Sequence, residues 1–400
     1  MRFDLDSSWR RFGSVVLGGS PLRIFRLTSA GERVAEALER ADDVDRSTLT
    51  DRLLAAGAIH PATGAGSTGH RFAASDVTVV TPQLGGRTAI DDGRITVDDG
   101  SRPPLTGATV SLDRNRGPAA ARNAARPLVD TDLVAFVDAD VDLTPRDGSD
   151  WLAPLLPHFD DPQVALVAPR VLGEPDSPLD MGDQPARVRA GSRISYVPAA
   201  AVVVRRSALE HVGWFDERLR FGEDVDLVWR LDDAGWTCRY EPTSTVWHAP
   251  RPTLAARLRQ RFDYGSSAAP LALRHPGKLA PLRTNGWTAS SWLLVAIGRP
   301  SSAIALAVGS ALALPGKLPD LPPAAAIGLA LRGHLASARW LADALRREWL
   351  PLTLVASLCS RRARLLGAAA FAAAPTRVAT DAAYACGIWA GMIRTARWHR

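Results

Sequence analysis

The stretch that most limits what this chain can fold into is Leu133 to Asp142, LVAFVDADVD: five apolar residues, then two acids one residue apart. A short apolar run ending in acids reads as a buried parallel strand whose carboxyl end meets solvent. That edge is where open α/β sheets bind ligands. Asp138 and Asp140 flank Ala139, so in an extended chain their side chains leave on the same face. Two hard oxygen ligands there suit Mg²⁺ or Mn²⁺, and through that ion a diphosphate. Taken alone, an Asp-x-Asp more often solvates a loop or caps a helix. Its place directly after a buried strand, and its company, argue for the ion.

That company begins upstream. VTVVTP from Val77, ITVDDGS (Ile95 to Ser101) and Val110 to Leu112 read as three further strands, the first two ending in polar residues or proline. Pro118 sits where a first helical turn tolerates it, and the alanines after it favour helix. Such strands indicate a doubly wound α/β sheet with its ligand site along one edge.

Residues 1–62 read as a separate unit: a hairpin in GSVVLGGSPLRIFRL turning at Gly18 and Gly19, a helix capped by Thr28, and a second helix from Ser47 to Gly57. This order is winged-helix-like. A DNA-reading helix needs several basic and amide groups that reach base edges, and STLTDRLLAAG offers Arg52 alone, so no nucleic acid partner is expected. Gly, Ser, Thr and Ala dominate residues 63–75, which read as a linker.

Composition narrows the classes. Four hundred residues with 46% hydrophobic content suggest two or three domains and exclude a largely disordered chain. The formal charge of +6 rests on arginine, since Lys278 and Lys317 are the only lysines. It fits nucleic acid, an anionic membrane or a phosphate-bearing substrate. Cys238, Cys359 and Cys386 lie far apart without metal-ligand spacing, which points to a reducing, cytoplasmic compartment. MRFDLDSSWRRF lacks the apolar core of a signal peptide.

In order, VTVVTP, ITVDDGS, NRGPAAARN, LVAFVDADV and FGEDVDLVWRL resemble the family 2 glycosyltransferases of the GT-A fold, which transfer a sugar from a nucleotide diphosphate donor. The match covers roughly Val77 to Pro250. The N-terminal unit is similar to the peptide-binding protein of pyrroloquinoline quinone biosynthesis, and RFDYGSSAAPLALRHPGKLAPL follows the sheet domain. Together these resemble the mycofactocin-system glycosyltransferases, which attach glucose units to a redox cofactor derived from a ribosomal peptide.

The resemblance implies roles. Asp99 would hydrogen-bond the uracil ring, a carboxylate being an acceptor for the imide N–H. Asp98 reads instead as a cap for the following turn. Asn115, Gly117, Arg122 and Asn123 match the segment lining the nucleotide. Asp138 would face the ribose and Asp140 the divalent cation (Mg²⁺ or Mn²⁺), with His248 completing the metal site. Ala199 would leave room for the donor sugar, and Trp214 would either stack on an acceptor sugar or fill the core. Asp224 would be the general base, with Glu223 as neighbour; from residue type alone, both acids equally suit a first helical turn. A base opposite the leaving diphosphate implies inversion at the anomeric carbon.

In one place the pattern departs from the family. Where relatives carry a crossover helix, only Pro82 to Arg94 remain, without helical period and near the shortest length a parallel crossover allows. The loop adjoins the expected base pocket, so donor affinity is what it bears on.

From Trp287 the chain becomes apolar up to Leu314, with Arg299 the single charge. Neither half alone reaches the roughly 20 residues a spanning helix needs. Read together they would form a kinked span or re-entrant hairpin, and the later apolar pieces with arginine borders fit a membrane interface or a soluble helical bundle. The expectation is peripheral attachment to the inner face of the cell membrane.

The reading is therefore a winged-helix-like module at 1–62, a linker at 63–75, a GT-A domain at 76–252 and a helical, membrane-associated region at 253–400. Its function would be a metal-dependent, inverting hexosyltransferase using a UDP-sugar, UDP-glucose by resemblance, on a mycofactocin-type acceptor. The alternative is a catalytically weakened, transferase-like protein that binds a peptide-derived ligand.

Overall fold

Short apolar runs between glycine turns give the first 62 residues their strands: β1 (Phe3–Leu5), β2 (Arg10–Phe12), β3 (Val15–Gly18), β4 (Arg23–Arg26) and, after two helices, β5 (Ile59–Pro61). The computed structural model describes residues 1–62, 71–86, 88–89, 92–144, 148, 150–173, 177–249, 251 and 253–398. It divides into two units, Met1–Pro250 and Arg251–Arg400.

In the first unit β2, β3 and β4 form one antiparallel sheet and β1 pairs with β5. Helix α1 (Ser29–Glu39) is capped by Thr28, and α2 (Thr48–Ala56) by a Ser47–Thr50 capping box, with Gly57 in the left-handed region ending it. Both helices start at the caps the sequence offers, and α2 ends at Gly57. The module leans on the larger sheet domain through ion pairs: Arg193 Nη2 to Asp6 Oδ2 at 3.1 Å, and Arg46 Nη2 to Asp161 Oδ2 at 3.2 Å. Asp6 is buried, which alone would raise its pKa. Hydrogen bonds from His60 and Ser8 and the charge of Arg193 outweigh that and hold its carboxyl well below the usual range.

Most of the expected linker, residues 63–70, lies outside the described residues. From Arg71 the chain is fixed: the Arg71 N–H donates to Asp160 at 2.9 Å, and Phe72 is buried in the sheet core.

The sheet domain follows the sequence closely. Its strands are β6 (Val77–Gln83), β7 (Ile95–Asp98), β8 (Val110–Ser111), β9 (Leu133–Val137), β10 (Val141–Asp142), β11 (Val164–Leu172), β12 (Ala186–Val188), β13 (Ala201–Arg205) and β14 (Thr237–His248), with helices α3 (Pro118–Ala124), α4 (Arg206–Val212) and α5 (Glu223–Asp233). Among the described residues the strand order is β10-β14-β11-β13-β9-β6-β7-β8, and β12 also joins β14. β8, β7, β6 and β9 are parallel, the doubly wound half. β13 departs from that pattern, running antiparallel to both β9 and β11. Its start therefore lies at the carboxyl end of β9, and the Asp138 N–H donates to Ala200 O at 2.8 Å.

The short crossover between β6 and β7 contains no helix among its described residues. Its described residues are tied to the segment after β7, with Gly85 N–H donating to Ser101 Oγ at 2.8 Å and Ala89 N–H to Thr106 O at 2.9 Å, and are braced within by Gln83 Nε2 donating to Thr88 O at 3.1 Å. The parallel β6–β7 register survives without the helix.

The second unit is helical: α6 (Leu254–Ser266), α7 (Ala268–Arg274), α8 (Gly286–Ala296), α9 (Pro300–Lys317), α10 (Pro323–Arg346), α11 (Leu350–Cys359), α12 (Arg361–Ala372) and α13 (Val378–Trp398). α6 and α13 meet at glycines: a Cβ on Gly265 would stand 2.1 Å from Tyr384 O, and one on Gly387 2.0 Å from Phe262 O. The apolar stretch from Trp287 breaks at Gly298, which has φ +80°, and restarts at Pro300. It forms two short helices rather than a kinked span, and no described helix is long and apolar enough to cross a membrane.

Candidate active site

β9 delivers the acids. Its five residues are fully buried, and the chain turns as it emerges, with Val141 N–H donating to Asp138 O at 3.1 Å. Asp138–Ala139–Asp140 is a turn and not extended strand, so the extended-chain premise for placing both side chains on one face does not hold. Asp138 points to Arg122, whose Nη2 reaches Oδ1 at 2.8 Å. Asp140 faces His248, with Oδ1 and Nε2 3.5 Å apart. The antiparallel pairing of Val141 with His248 sets that pair, together with a bond from Ala249 N–H to Asp140 O.

Asp140 and His248 together offer a carboxylate oxygen and an imidazole nitrogen to a divalent cation. Among the described residues no cluster of three or more His, Cys, Asp or Glu suits a metal. Two protein donors would suit a Mg²⁺ or Mn²⁺ ion that also binds water and substrate oxygens, and would not suit a closed structural site.

Arg122, on α3, joins three parts of the chain. Nη1 donates to Glu223 Oε1 at 2.8 Å, Nη2 to Asp138 and, at 3.3 Å, to Ala199 O, while the guanidinium lies over the Phe215 ring at 5.2 Å. The residue is 2% exposed and its buried Nε has no hydrogen-bond partner. Burial disfavours its charge, but Asp138 and Glu223 more than compensate and raise its pKa. Burial first, then the neighbouring Asp224, push Glu223 up to about 7 against the pull of Arg122. Asp224 is also raised, by burial, although the Val225 N–H at 2.8 Å and the Ala199 N–H at 3.4 Å donate to it. The two acids open α5, as the residue pattern suggests, and they titrate as a pair.

The loop before α3 is built on the DDGS turn. Asp98 caps that turn by accepting Ser101 N–H at 2.8 Å and Leu105 N–H at 3.0 Å. Asp99 accepts the backbone N–H of Arg116 at 2.7 Å and of Gly117 at 2.9 Å. Each Asp99 oxygen already serves its own chain, so the residue holds the loop before α3, with one lone pair per oxygen left over. Gly117 has φ +95°, which glycine alone adopts readily. Gly100 permits the approach of the two loops: with φ +73°, an added Cβ would lie 2.2 Å from the Arg114 carbonyl carbon. Gly100→Ala should cost about 1–3 kcal/mol of first-unit stability, read as a lowered denaturant midpoint.

Other expected site residues serve the scaffold. Asn123 donates to Phe215 O at 2.9 Å and Glu217 at 3.1 Å and accepts Phe215 N–H at 3.1 Å, so its amide is committed to the chain. Asn115 accepts from Arg220 at 2.9 Å. Trp214, one of whose readings was a sugar platform, is corrected to core. It is 2% exposed, edge-on to Phe136, and donates Nε1 to Glu210 at 2.9 Å, leaving no face for a sugar. Residue reasoning missed Phe215 and Glu217, which tie the α3 segment to the loop before α5. Their only signal was the aromatic and the acid in GWFDERL.

The geometry therefore gathers Arg122, Asp138, Ala199, Glu223 and Asp224 at the carboxyl end of β9, with Asp140 and His248 alongside.

Comparison with known proteins gives the chain a family. Residues 102–263 match the family model described as glycosyltransferase like family 2. The pre-mycofactocin glycosyltransferase of Mycobacterium tuberculosis is 40% identical over 388 residues, 88% of this chain and 81% of that protein. An N-acetylglucosaminyl-diphospho-decaprenol L-rhamnosyltransferase of the same organism is 35% identical over 125 residues, 28% of this chain and 38% of that protein. Among solved structures, a Pyrobaculum calidifontis mannosyltransferase in complex with GDP-Man and Mn²⁺ matches with a TM-score of 0.43 at 18% identity, over 80% of this chain and 87% of that one. The chain belongs to the family 2 glycosyltransferases of the GT-A fold, in the family of the pre-mycofactocin glycosyltransferases.

Proposed function

We propose that the chain is an inverting hexosyltransferase that moves a sugar from a UDP-sugar, UDP-glucose by family likeness, to a mycofactocin-type, peptide-derived acceptor. One observation carries the reading: Arg122 links Glu223, at the start of α5, to Asp138, at the end of β9. This sets a carboxylate pair beside the strand-end acids, as a transfer with separate donor and acceptor sides requires.

In this reading Asp224 accepts the proton of the acceptor hydroxyl, whose oxygen bonds to the anomeric carbon as the bond from that carbon to the diphosphate breaks. Asp99, Asn115 and Gly117 shape the base and ribose side, and Asp138 faces the ribose. Asp140 and His248 hold a divalent cation that, when bound, neutralises the departing diphosphate. We also place the chain in the cytoplasm at the membrane's inner face, which suits its three free cysteines.

Calorimetric titration with UDP, with and without Mn²⁺, on the wild type and Asp140→Ala tests the site. Metal-dependent binding in the wild type that falls at least about tenfold in the variant is expected. Absence of binding in the wild type would sink the enzyme reading.

The weakened-enzyme alternative draws on a different observation. A cavity of about 350 Å³ between β4 and α2, lined by Arg23, Ile24, Phe25, Arg52 and Ala55, adjoins the edge strand of the module's sheet. It becomes the better account if a peptide-derived ligand binds while UDP does not.

A further inference from the structure

Charge divides this chain unevenly. Of its 48 basic and 42 acidic residues, 20 basic but only 5 acidic stand after Pro250. Two long stretches carry no acid at all: Tyr264 to Pro319, which holds α8 and α9, and Trp349 to Thr380, which holds α11 and α12. Such asymmetry between halves marks contact with a polyanionic surface.

The packing of these helices decides which surface. His334 on α10 bonds Thr288 at 3.0 Å and Ser310 at 2.9 Å, and Trp292 donates to Ser337 at 2.9 Å. These bonds turn the polar faces of α8 and α9 inward. What remains outward is mainly apolar, Leu293 and Ile297 on α8, Ile304 and Val308 on α9, Leu358 on α11 and Leu365 on α12, with Ser290, Ser301 and Ser302 exposed among them. Leu358 is 84% exposed and Ile304 65%. The α8–α9 turn and the start of α12 are tied by Arg362 Nη1 donating to Ile297 O at 2.7 Å. Arg299, in that turn, and Arg361 and Arg364, in the first turn of α12, are exposed.

Helix ends that expose leucines and isoleucines among arginines, with no nearby acid in sequence, are rare on a water-facing surface. Nucleic acid would use the arginines and leave the leucines in water, and an apolar protein groove would leave the arginines unmatched. A bilayer with anionic headgroups takes both: the side chains enter the acyl boundary while the guanidiniums meet lipid phosphates.

We infer that the end of the second unit where the α8–α9 and α11–α12 turns meet docks on an anionic lipid bilayer, inserting Ile304, Leu358 and Leu365 under a ring of Arg299, Arg361 and Arg364. This narrows the membrane-face reading to one surface and one lipid chemistry, and it holds whether or not the first unit transfers a sugar.

The test is co-sedimentation of the full chain with vesicles of phosphatidylcholine, with or without phosphatidylglycerol. The wild type should pellet with the anionic vesicles only. R361A/R364A should bind about thirtyfold more weakly, from roughly 1 kcal/mol for each arginine at the surface. R361K/R364K, which keeps the charge, should bind as the wild type does, and L358S/L365S should lose the binding that survives high salt. The inference is overturned if the wild type stays in the supernatant with every vesicle, if neutral vesicles bind it equally, if R361A/R364A binds unchanged, or if duplex DNA or RNA competes the vesicles away. UDP titration of the same variants separates the two readings, since none of these positions belongs to the donor site: a variant that loses lipid and keeps UDP leaves the transferase reading intact.

Discussion

Asp224→Asn should lower turnover by roughly 10²–10⁴-fold while UDP affinity stays within about twofold of the wild type. Asparagine keeps the shape and the hydrogen bond that the Val225 N–H donates, so the start of α5 should not move. What disappears is the ability to accept a proton. The pH profile adds a signed expectation. Burial raises the Asp224 pKa and, with Asp224 beside it, takes Glu223 to about 7. The base works ionised, so kcat/KM should climb with pH through a limb above the ordinary aspartate range and then level. A limb at or below about 4 would contradict the buried-pair account. An Asp224→Asn variant with wild-type turnover would remove the residue from the chemistry altogether.

Much of the site's framework was legible in the residues because it is local. A five-residue apolar run can only be buried, and Thr28, Ser47 and Gly57 mark helix ends by their own side-chain and backbone chemistry. The Asp98 cap was legible for the same reason. What was hidden depends on partners distant in sequence. Nothing near Trp214 says that Phe136 and Glu210 will enclose it. Nothing in LVAFVDADV says that the chain turns after Val137, where the Asp138 N–H meets Ala200 O at the start of β13, a partner far off in the chain. The reversed β13 itself has the same apolar run as a parallel strand, and direction leaves no mark on burial.

Arg122→Ala should be the most destabilising single change near the site, lowering first-unit stability by about 3–5 kcal/mol. The guanidinium is buried with Glu223 and Asp138 each 2.8 Å away, so removing it leaves carboxylates without a cation between them and removes the cation from the Phe215 ring face. Lysine at this position keeps the charge but not the fork that reaches two acids and Ala199 O together, so Arg122→Lys should recover only part of the loss. The deficit should also depend on pH. Glu223 already titrates above its unfolded value in the wild type and without Arg122 would do so at still higher pH. A carboxyl with a raised folded pKa contributes stability that is lost as pH rises through that value. The gap between variant and wild type should therefore be wider near pH 8 than near pH 5, because protonated Glu223 tolerates burial alone. Adding Glu223→Gln to Arg122→Ala should restore about 0.5–3 kcal/mol at the higher pH, since the pair is coupled. Chemical denaturation of the four proteins at both pH values decides the matter. A loss under about 1 kcal/mol for Arg122→Ala, or a deficit that does not change with pH, would mean that the guanidinium serves the nucleotide and not the frame of the site.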